Sequence, residues 1–433
     1  MGLFDFLSKK PENQYFNEGK RFFDEGLASE KMNDIIDMAI TTSSNDTFAF
    51  SDAISAKLKI WANLGSYTQA VESFDKAIAI KPDFAEAWYY RGCALLKLRL
   101  GADAPDKFEQ TVTRNGKKKK IVIQKREWNS EAIDSFNKAI AIKPDYAEAW
   151  YYRGSALGNL GQYSDAIASF NKAINIKSNY IEAWYYRGIA QNSLGRYSDA
   201  ASSYEKVIAI TPKDANALYN YGVALSKLQR YTEAIASLDK AIAINPNHDE
   251  AWNNRGALLG NLGRYTEAVA SFDKAIALKP NNSKAWSDRG NALLRLGQNI
   301  EAITSFNRAI AINPNNTDVW YHRGLVLFGL GQNSESVASF DKALAIKQDD
   351  IDSWVGRGVS LSNLGQYMEA IVSFDKAITI KPDFSFAWKN RGFALFNLGR
   401  YSDAVESYDK ALAIKPNDTD AKQNREIALK KLT

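Results

Sequence analysis

The residues able to do chemistry are few, and their spacing is poor for it. Two histidines, His248 and His322, and one cysteine, Cys93, are the whole stock of imidazole and thiol in the chain. An active site needs a nucleophile, a base or a metal brought into convergent geometry. Neither histidine stands in H-E-x-x-H or a comparable ligand spacing, and one cysteine excludes both an intrachain disulfide and a multi-cysteine metal cluster. No G-x-G-x-x-G, Walker A or G-x-S-x-G string occurs. The paired acids Asp349 and Asp350 fall in a turn, where a solvated helix cap is the default role. The reading is a protein that is not an enzyme, with no cofactor and no metal expected.

Composition agrees with a binding protein that works in water. The 433 residues are 45% hydrophobic and 24% charged. No run of about 18 apolar residues appears, so no transmembrane helix is expected. The opening stretch from Met1 to Lys10 lacks the pattern of a secretory signal. With one cysteine, the expected location is cytoplasmic, with a membrane-peripheral variant left open. The net charge is +5, and residues 100–127 carry eight Lys or Arg against four acids, or +4 of that total. A general nucleic-acid binder would need a long basic face; this chain has one basic knob.

The elements that position everything are repeats. Trp150, Trp184, Trp252, Trp286, Trp320, Trp354 and Trp388 are spaced by 34 residues or by 68, and Leu218 fills the empty slot. Trp88 lies 62 before Trp150, which is 34 plus 28, and Ile54 occupies the slot before it. The units therefore begin at 51, 85, 147, 181, 215, 249, 283, 317, 351 and 385. In each, a first helix carries the Trp and a Gly four later (Gly154, Gly188, Gly222, Gly256). It ends at a Gly such as Gly161, Gly195 or Gly263, suited to a left-handed helix end. A second helix carries a small Ala (Ala166, Ala234, Ala268), an aromatic (Phe170, Phe272, Phe306) and another Ala (Ala173, Ala241, Ala275). Gly and Ala let antiparallel helices approach, and Trp and Phe fill the space between successive pairs. Eight of the ten prolines share one slot after the second helix.

These residues resemble the tetratricopeptide repeat (TPR) family, whose unit is a 34-residue helix–turn–helix carrying W-x2-L-G, A-x3-F and P. The resemblance covers roughly residues 51–418 and implies an all-α fold, a right-handed α-solenoid superhelix of ten units. One departure is systematic: three residues after the anchor stand Arg91, Arg153, Arg187, Arg255, Arg289, Arg323, Arg357 and Arg391 where the family has Leu. Such guanidiniums must be paired or snorkelled, and Asp239, Asp273, Asp341 and Asp375 of the second helices are the expected partners. The two readings of this ladder are structural ion pairs and ligand-binding arginines.

Ends and interruption complete the organisation. Residues 1–50 hold a tail and a decayed capping unit over 12–45, with Tyr15, Gly19, Phe22 and Gly26 on the first helix and Ile35 and Met38 on the second; residues 419–433 read as a polar closing helix. The 28 extra residues of the second unit, 100–127, contain two β-prone runs around Asn115–Gly116, a strong hairpin signal. Pairing puts Phe108, Val112, Ile121 and Ile123 on one face and Arg114 and Lys117, Lys118, Lys119 and Lys120 at the tip. That basic knob is either a charged edge that blocks strand aggregation or a docking element for acidic partners. Leu3, Phe4 and Leu7 could form a short interfacial anchor, though ten residues make a marginal helix. Gly2 suggests myristoylation, but Phe6 occupies the slot that needs Ser or Thr. His322 stands one repeat on from Asp288, so a cross-unit hydrogen bond between them is expected rather than catalysis.

The resemblance also implies that the first helices form a concave inner wall for a partner. Read at the inward positions, the early units offer Tyr89, Tyr90, Tyr151, Tyr152, Tyr185, Tyr186 and Tyr219. The middle offers Asn220, Asn253, Asn254, Asn291 and Arg295, and the last unit Lys389, Asn390 and Phe393. Tyr supplies stiff contact area with a hydroxyl, and Asn can bracket a peptide backbone; equally, several tyrosines could serve helix packing. No unit combines the Lys and Asn of the clamp by which some family members grip a C-terminal carboxylate: Lys389 is followed by Phe393, and Asn291 is preceded by Ser287. The expected function is an adaptor for a protein or peptide segment, with self-association possible because the units are so alike. The alternative is a membrane- or nucleic-acid-associated assembly factor acting through residues 107–126 and the N-terminus. A third is the accessory subunit of an enzyme whose catalytic chain is separate.

Overall fold

A computed structural model describes residues 16–18, 20–21, 23–25, 67–71, 73–99, 107–114 and 117–432; at 99, 107–114 and 117–127 the description is of backbone alone. The N-terminal anchor residues, Tyr15, Gly19, Phe22 and Gly26, most of the capping unit and the first helix of the unit at 51 lie outside the described residues. Contacts divide the chain into two compact units, residues 1–229 and 230–433.

In the first unit the first helices of the repeats are α1 (Ala85–Arg99), α3 (Ala147–Asn159), α5 (Ile181–Ser193) and α7 (Ala215–Lys227). Between them come α2 (Lys125–Ile142), α4 (Tyr163–Ile176) and α6 (Tyr197–Ile210). The second unit opens with α8 (Tyr231–Ile244). Its first helices are α9 (Asp249–Asn261), α11 (Ser283–Arg295), α13 (Thr317–Gly329), α15 (Ile351–Asn363) and α17 (Ser385–Asn397). The second helices are α10 (Tyr265–Leu278), α12 (Asn299–Ile312), α14 (Asn333–Ile346), α16 (Tyr367–Ile380) and α18 (Tyr401–Ile414), and α19 (Thr419–Lys430) follows them. Within each unit, consecutive helices pack on one another.

Helix ends are written in the local sequence. Asp214, Asn282, Asn316, Asp350 and Asp418 cap their helices, each side chain accepting a backbone N–H three residues on. Second helices stop where the residue before proline turns extended, as at Asn245 and Lys279. The first helices end at glycines with φ between +72° and +76°, from Gly161 to Gly399, while the repeat at 215 places Gln229 there at φ +61°. A side chain in that conformation costs about 1 kcal/mol. Gln229→Gly should therefore raise the urea midpoint, corresponding to about 0.5–1 kcal/mol; an unchanged or lower midpoint would count against the argument.

Between α1 and α2, β1 (Lys107–Arg114) and β2 (Lys117–Gln124) pair antiparallel, from Lys107 opposite Gln124 to Arg114 opposite Lys117. Side chains there, including the expected apolar face and the basic tip at Arg114 and Lys117 to Lys120, lie outside the described residues. Every other described element is helical.

The core forms where first and second helices touch. Phe136, Phe170, Phe272, Phe306, Phe340 and Phe374 are fully buried, as are Tyr204 and Tyr408 at the same slot. Each ring lies against the small residue of a first helix: a Cβ added at Gly256 would come within 2.8 Å of Phe272. The Arg ladder ties these pairs together. Arg255 Nε donates to Asp239 Oδ1 at 2.6 Å in the preceding second helix, and Nη1 donates to Ser271 Oγ at 2.7 Å in its own. Ser271, itself buried, donates its hydroxyl hydrogen bond to the Glu267 carbonyl at 2.8 Å. Arg289, Arg357 and Arg391 repeat the arrangement with Asp273, Asp341 and Asp375, so all four expected carboxylates are the partners. Arg91 does the same with Asp75 and Ser135, and Arg425 of α19 keeps only the carboxylate half, Asp409. At the repeat beginning at 215 both members change: Tyr221 donates its hydroxyl to Glu205 Oε1 at 2.6 Å.

Three rungs replace the carboxylate with an amide. Arg153, Arg187 and Arg323 donate to Asn137, Asn171 and Asn307. Burial pulls these guanidiniums below their ordinary value, with only a more distant acid such as Asp165 or Glu335 offsetting it. Asn307→Asp should convert one rung to a charge-assisted pair. The gain expected is about 0.5 kcal/mol, because the carboxylates at other rungs are half-exposed and screened, 49% for Asp239. Pairing depresses the new carboxyl's folded pKa, so the gain is present above its unfolded value near about 4 and fades as pH falls through the folded one. Urea titrations of both proteins at pH 7 and pH 3 check this; an equal gain at both pH values would refute the ion pair.

Candidate functional site

In the first unit, the expected tyrosines form one run of rings along α1, α3 and α5. Two first-position tyrosines meet the second-position Tyr of the next repeat: Tyr89 to Tyr152 at 5.8 Å and Tyr151 to Tyr186 at 5.9 Å. The same two also meet the aromatic that opens the next first helix, Tyr146 at 4.8 Å and Tyr180 at 5.1 Å. Two second-position tyrosines lie over the buried ring of the preceding second helix, Tyr90 over Phe74 and Tyr152 over Phe136. The tyrosines thus serve packing, yet they keep a wet edge: all are half-buried except Tyr186, which is 41% exposed. Toward the N-terminus, Phe16 and Phe23 extend the cluster, Phe16 lying 4.7 Å from Phe84 and Phe23 5.7 Å from Tyr67.

Burial raises the hydroxyls of Tyr89 and Tyr151 far above the ordinary phenol range, pushes Tyr152 up to about 12, and raises Tyr185 despite an opposing hydrogen bond from Asn220. These four tyrosines therefore keep neutral hydroxyls at every physiological pH. Asn220 Nδ2 donates to Tyr185 Oη at 2.9 Å, which joins two of the expected site residues directly. Tyr219 lies half-buried beside them on α7.

The second unit carries the Asn-rich part. Asn253 is 7% exposed and its Oδ1 accepts no hydrogen bond among the described residues; Asn254 is half-buried on the same helix. Asn291 on α11 also has a buried Oδ1 without a donor, and Arg295 one turn on is exposed. These two line a cleft of about 420 Å³ between α9 and α11.

Some expected contacts differ. Lys389 is not a free groove cation: it lies 3.2 Å from the cap carboxylate Asp418 and 3.3 Å from Asp420 in the first turn of α19. Asn390 spends its Nδ2 on the Phe386 carbonyl at 2.7 Å, whereas Phe393 is 44% exposed. Asp288 and His322 do not meet. Asp288 accepts from Lys284 at 2.6 Å, and His322 Nδ1 sits 2.6 Å from the Asp318 carbonyl; each finds a partner four residues back on its own helix. His248 stands at the N-cap position of α9, and Asp350 caps α15. Cys93 is buried and its thiol is pushed up to about 12 by desolvation. Among the described residues no group of three or more His, Cys, Asp or Glu could hold a metal ion, and no helix is long and apolar enough to cross a membrane.

Sequence reasoning missed the serines of the second helices as acceptors for the Arg ladder. A 16-residue offset on both sides of the Arg, constant in the repeats without the insertion, would have revealed them.

Family models described as tetratricopeptide repeat or TPR repeat match residues 62–98, 126–161, 147–180, 192–258, 249–282, 271–304, 290–331, 317–350, 351–384 and 385–418. Among solved structures the chain is similar to YrrB, described as a TPR protein with an unusual peptide-binding site. Identity is 26% over 44% of this chain and 97% of that one, with a TM-score of 0.41. It is similar to MamA at 23% identity over 40% of this chain and 94% of that one, with a TM-score of 0.39. A tetratricopeptide repeat protein from Parabacteroides merdae aligns at 17% identity over 57% of this chain and 98% of that one, with a TM-score of 0.42. No curated protein sequence matches the chain.

Proposed function

Because the chain belongs to the tetratricopeptide repeat family, we propose that it is a non-catalytic scaffold that holds an extended segment of a partner protein along the first helices of its repeats. The observation that carries this reading is the run of tyrosine rings on α1, α3 and α5, stiff and partly exposed. Phenol edges give a passing chain both apolar contact and hydrogen bonds, at little cost in side-chain entropy. The Asn groups of the second unit would bracket the same kind of backbone. The reading includes a cytoplasmic location, supported by the single cysteine.

The probe is a random dodecapeptide library displayed on phage, selected on the full-length chain. Tyr186→Ala, the most exposed ring, should weaken a selected peptide about tenfold, in line with a contact residue worth more than about 1 kcal/mol. Tyr151→Ala with Tyr185→Ala should abolish measurable binding while the helical circular dichroism persists. Deleting 102–126 should change nothing. The opposite pattern, binding lost with the deletion and kept in the tyrosine variants, would favour the second reading, an assembly factor docking through the basic insertion. That reading draws on the +4 charge of residues 100–127.

A further inference from the structure

The cleft between α9 and α11 exists because two side chains are missing from it. The slot of Ala257 carries Ile189, Val223, Leu325, Val359 or Phe393 in other repeats, and the slot of Gly260 carries Leu294, Phe328 or Phe396. A Cβ at Gly260 would find nothing within 4 Å. The opening of about 420 Å³ lies within the usual size of ligand sites, roughly 300–1,000 Å³. Its α11 bank carries two unspent groups. Asn291 Oδ1 is buried and accepts nothing among the described residues, an arrangement that costs free energy until a donor arrives. Arg295, four residues on, is exposed and makes no ion pair among the described residues. At the other end Lys284 and Asp288 neutralise each other at 2.6 Å, so the cleft carries one uncompensated positive charge.

We propose that this cleft is the specificity pocket of the scaffold and takes an acidic side chain of the bound segment. The carboxylate of an Asp or Glu sits on the Arg295 guanidinium, whose planar fork suits a bidentate carboxylate. A backbone N–H of the same segment donates to Asn291 Oδ1, and the small residues Ala257 and Gly260 admit the chain between the helices. The proposal rests on the peptide-holding reading above and adds which chemistry the second unit selects.

The test uses the same displayed dodecapeptide library on full-length wild-type chain, Arg295→Glu, Arg295→Gln and Gly260→Leu. The wild-type pool is expected to converge on Asp or Glu at one position. Arg295→Glu should shift that position to Lys or Arg, Arg295→Gln should flatten it, and Gly260→Leu, which fills open space on a helix, should remove the preference without unfolding the protein. For a selected synthetic peptide, replacing its acid by the amide should weaken binding about tenfold to wild type and not at all to Arg295→Gln, read by fluorescence anisotropy. An acidic preference that persists in Arg295→Glu and Gly260→Leu overturns the pocket. So does a pool that binds through the tyrosine wall, lost in Tyr151→Ala with Tyr185→Ala, but shows no acidic position; the scaffold reading then stands alone. Failure to select any binder on wild type overturns both.

Discussion

Gly290→Ala is expected to destabilise the chain by about 1–3 kcal/mol, although alanine is the better helix former by about 1 kcal/mol. The two effects oppose, and geometry decides between them. A Cβ at Gly290 would lie 2.6 Å from Cε1 of Phe306, a distance that real Cβ contacts do not reach. Phe306 is fully buried, so its ring has no free volume to retreat into. The added methyl must push α11 from α12 or force the ring off its rotamer. The repeat at 215 suggests the remedy, since it keeps Gly222 but carries Leu238 in the ring slot. Gly290→Ala with Phe306→Leu should therefore be more stable than Gly290→Ala alone, although Phe306→Leu by itself should lose stability. Repeat arrays need not unfold in one step, so the loss should be read by hydrogen exchange in α11 and α12 as well as by urea. A Gly290→Ala protein as stable as wild type would show that the helix pair is looser than these contacts imply.

The second large effect is chemical. Cys93 carries the only thiol, so any thiol-specific reagent reports on one site. Desolvation pushes its pKa up to about 12, against the smaller opposing effect of its hydrogen bond with Tyr89. At pH 8 the thiolate fraction then falls roughly a thousandfold below that of an exposed cysteine. Iodoacetamide should label the native chain at least that much more slowly than the urea-unfolded chain. Residual labelling measures how often the α1–α2 hairpin opens. Native labelling within tenfold of the unfolded rate would mean that α1 does not protect the sulfur.

The repeat frame was legible in the sequence because each recurrent residue answers a local need: a ring for a gap, a glycine for a close approach or a left-handed end. The Arg–Asp pairs were legible too, since a recurring guanidinium on a packing surface demands a recurring acceptor. Less legible was where a polar side chain spends its hydrogen bonds when several partners compete. Lys389 looked like a groove cation until Asp418 and Asp420, 29 and 31 residues on, claimed it. Asp288 and His322 occupy equivalent positions one repeat apart, but each bonds to its own preceding turn. The cleft at Ala257 and Gly260 was hidden for another reason. It is made by side chains that are not there, and only alignment with the bulkier repeats reveals the gap. The sequence left the Tyr run between partner contact and helix packing, and the ring distances show the packing contacts.

The Arg ladder has a consequence for how such a chain can change over generations. From Arg153 to Arg391 each arginine of the ladder reaches 16 residues back for one acceptor and 16 forward for another. A whole 34-residue unit can therefore be duplicated or excised in frame, and the rungs on either side of the junction find equivalent partners again. Unequal recombination between near-identical units thus yields a viable ladder, so the length of the array is open to inheritance without a redesign of its core.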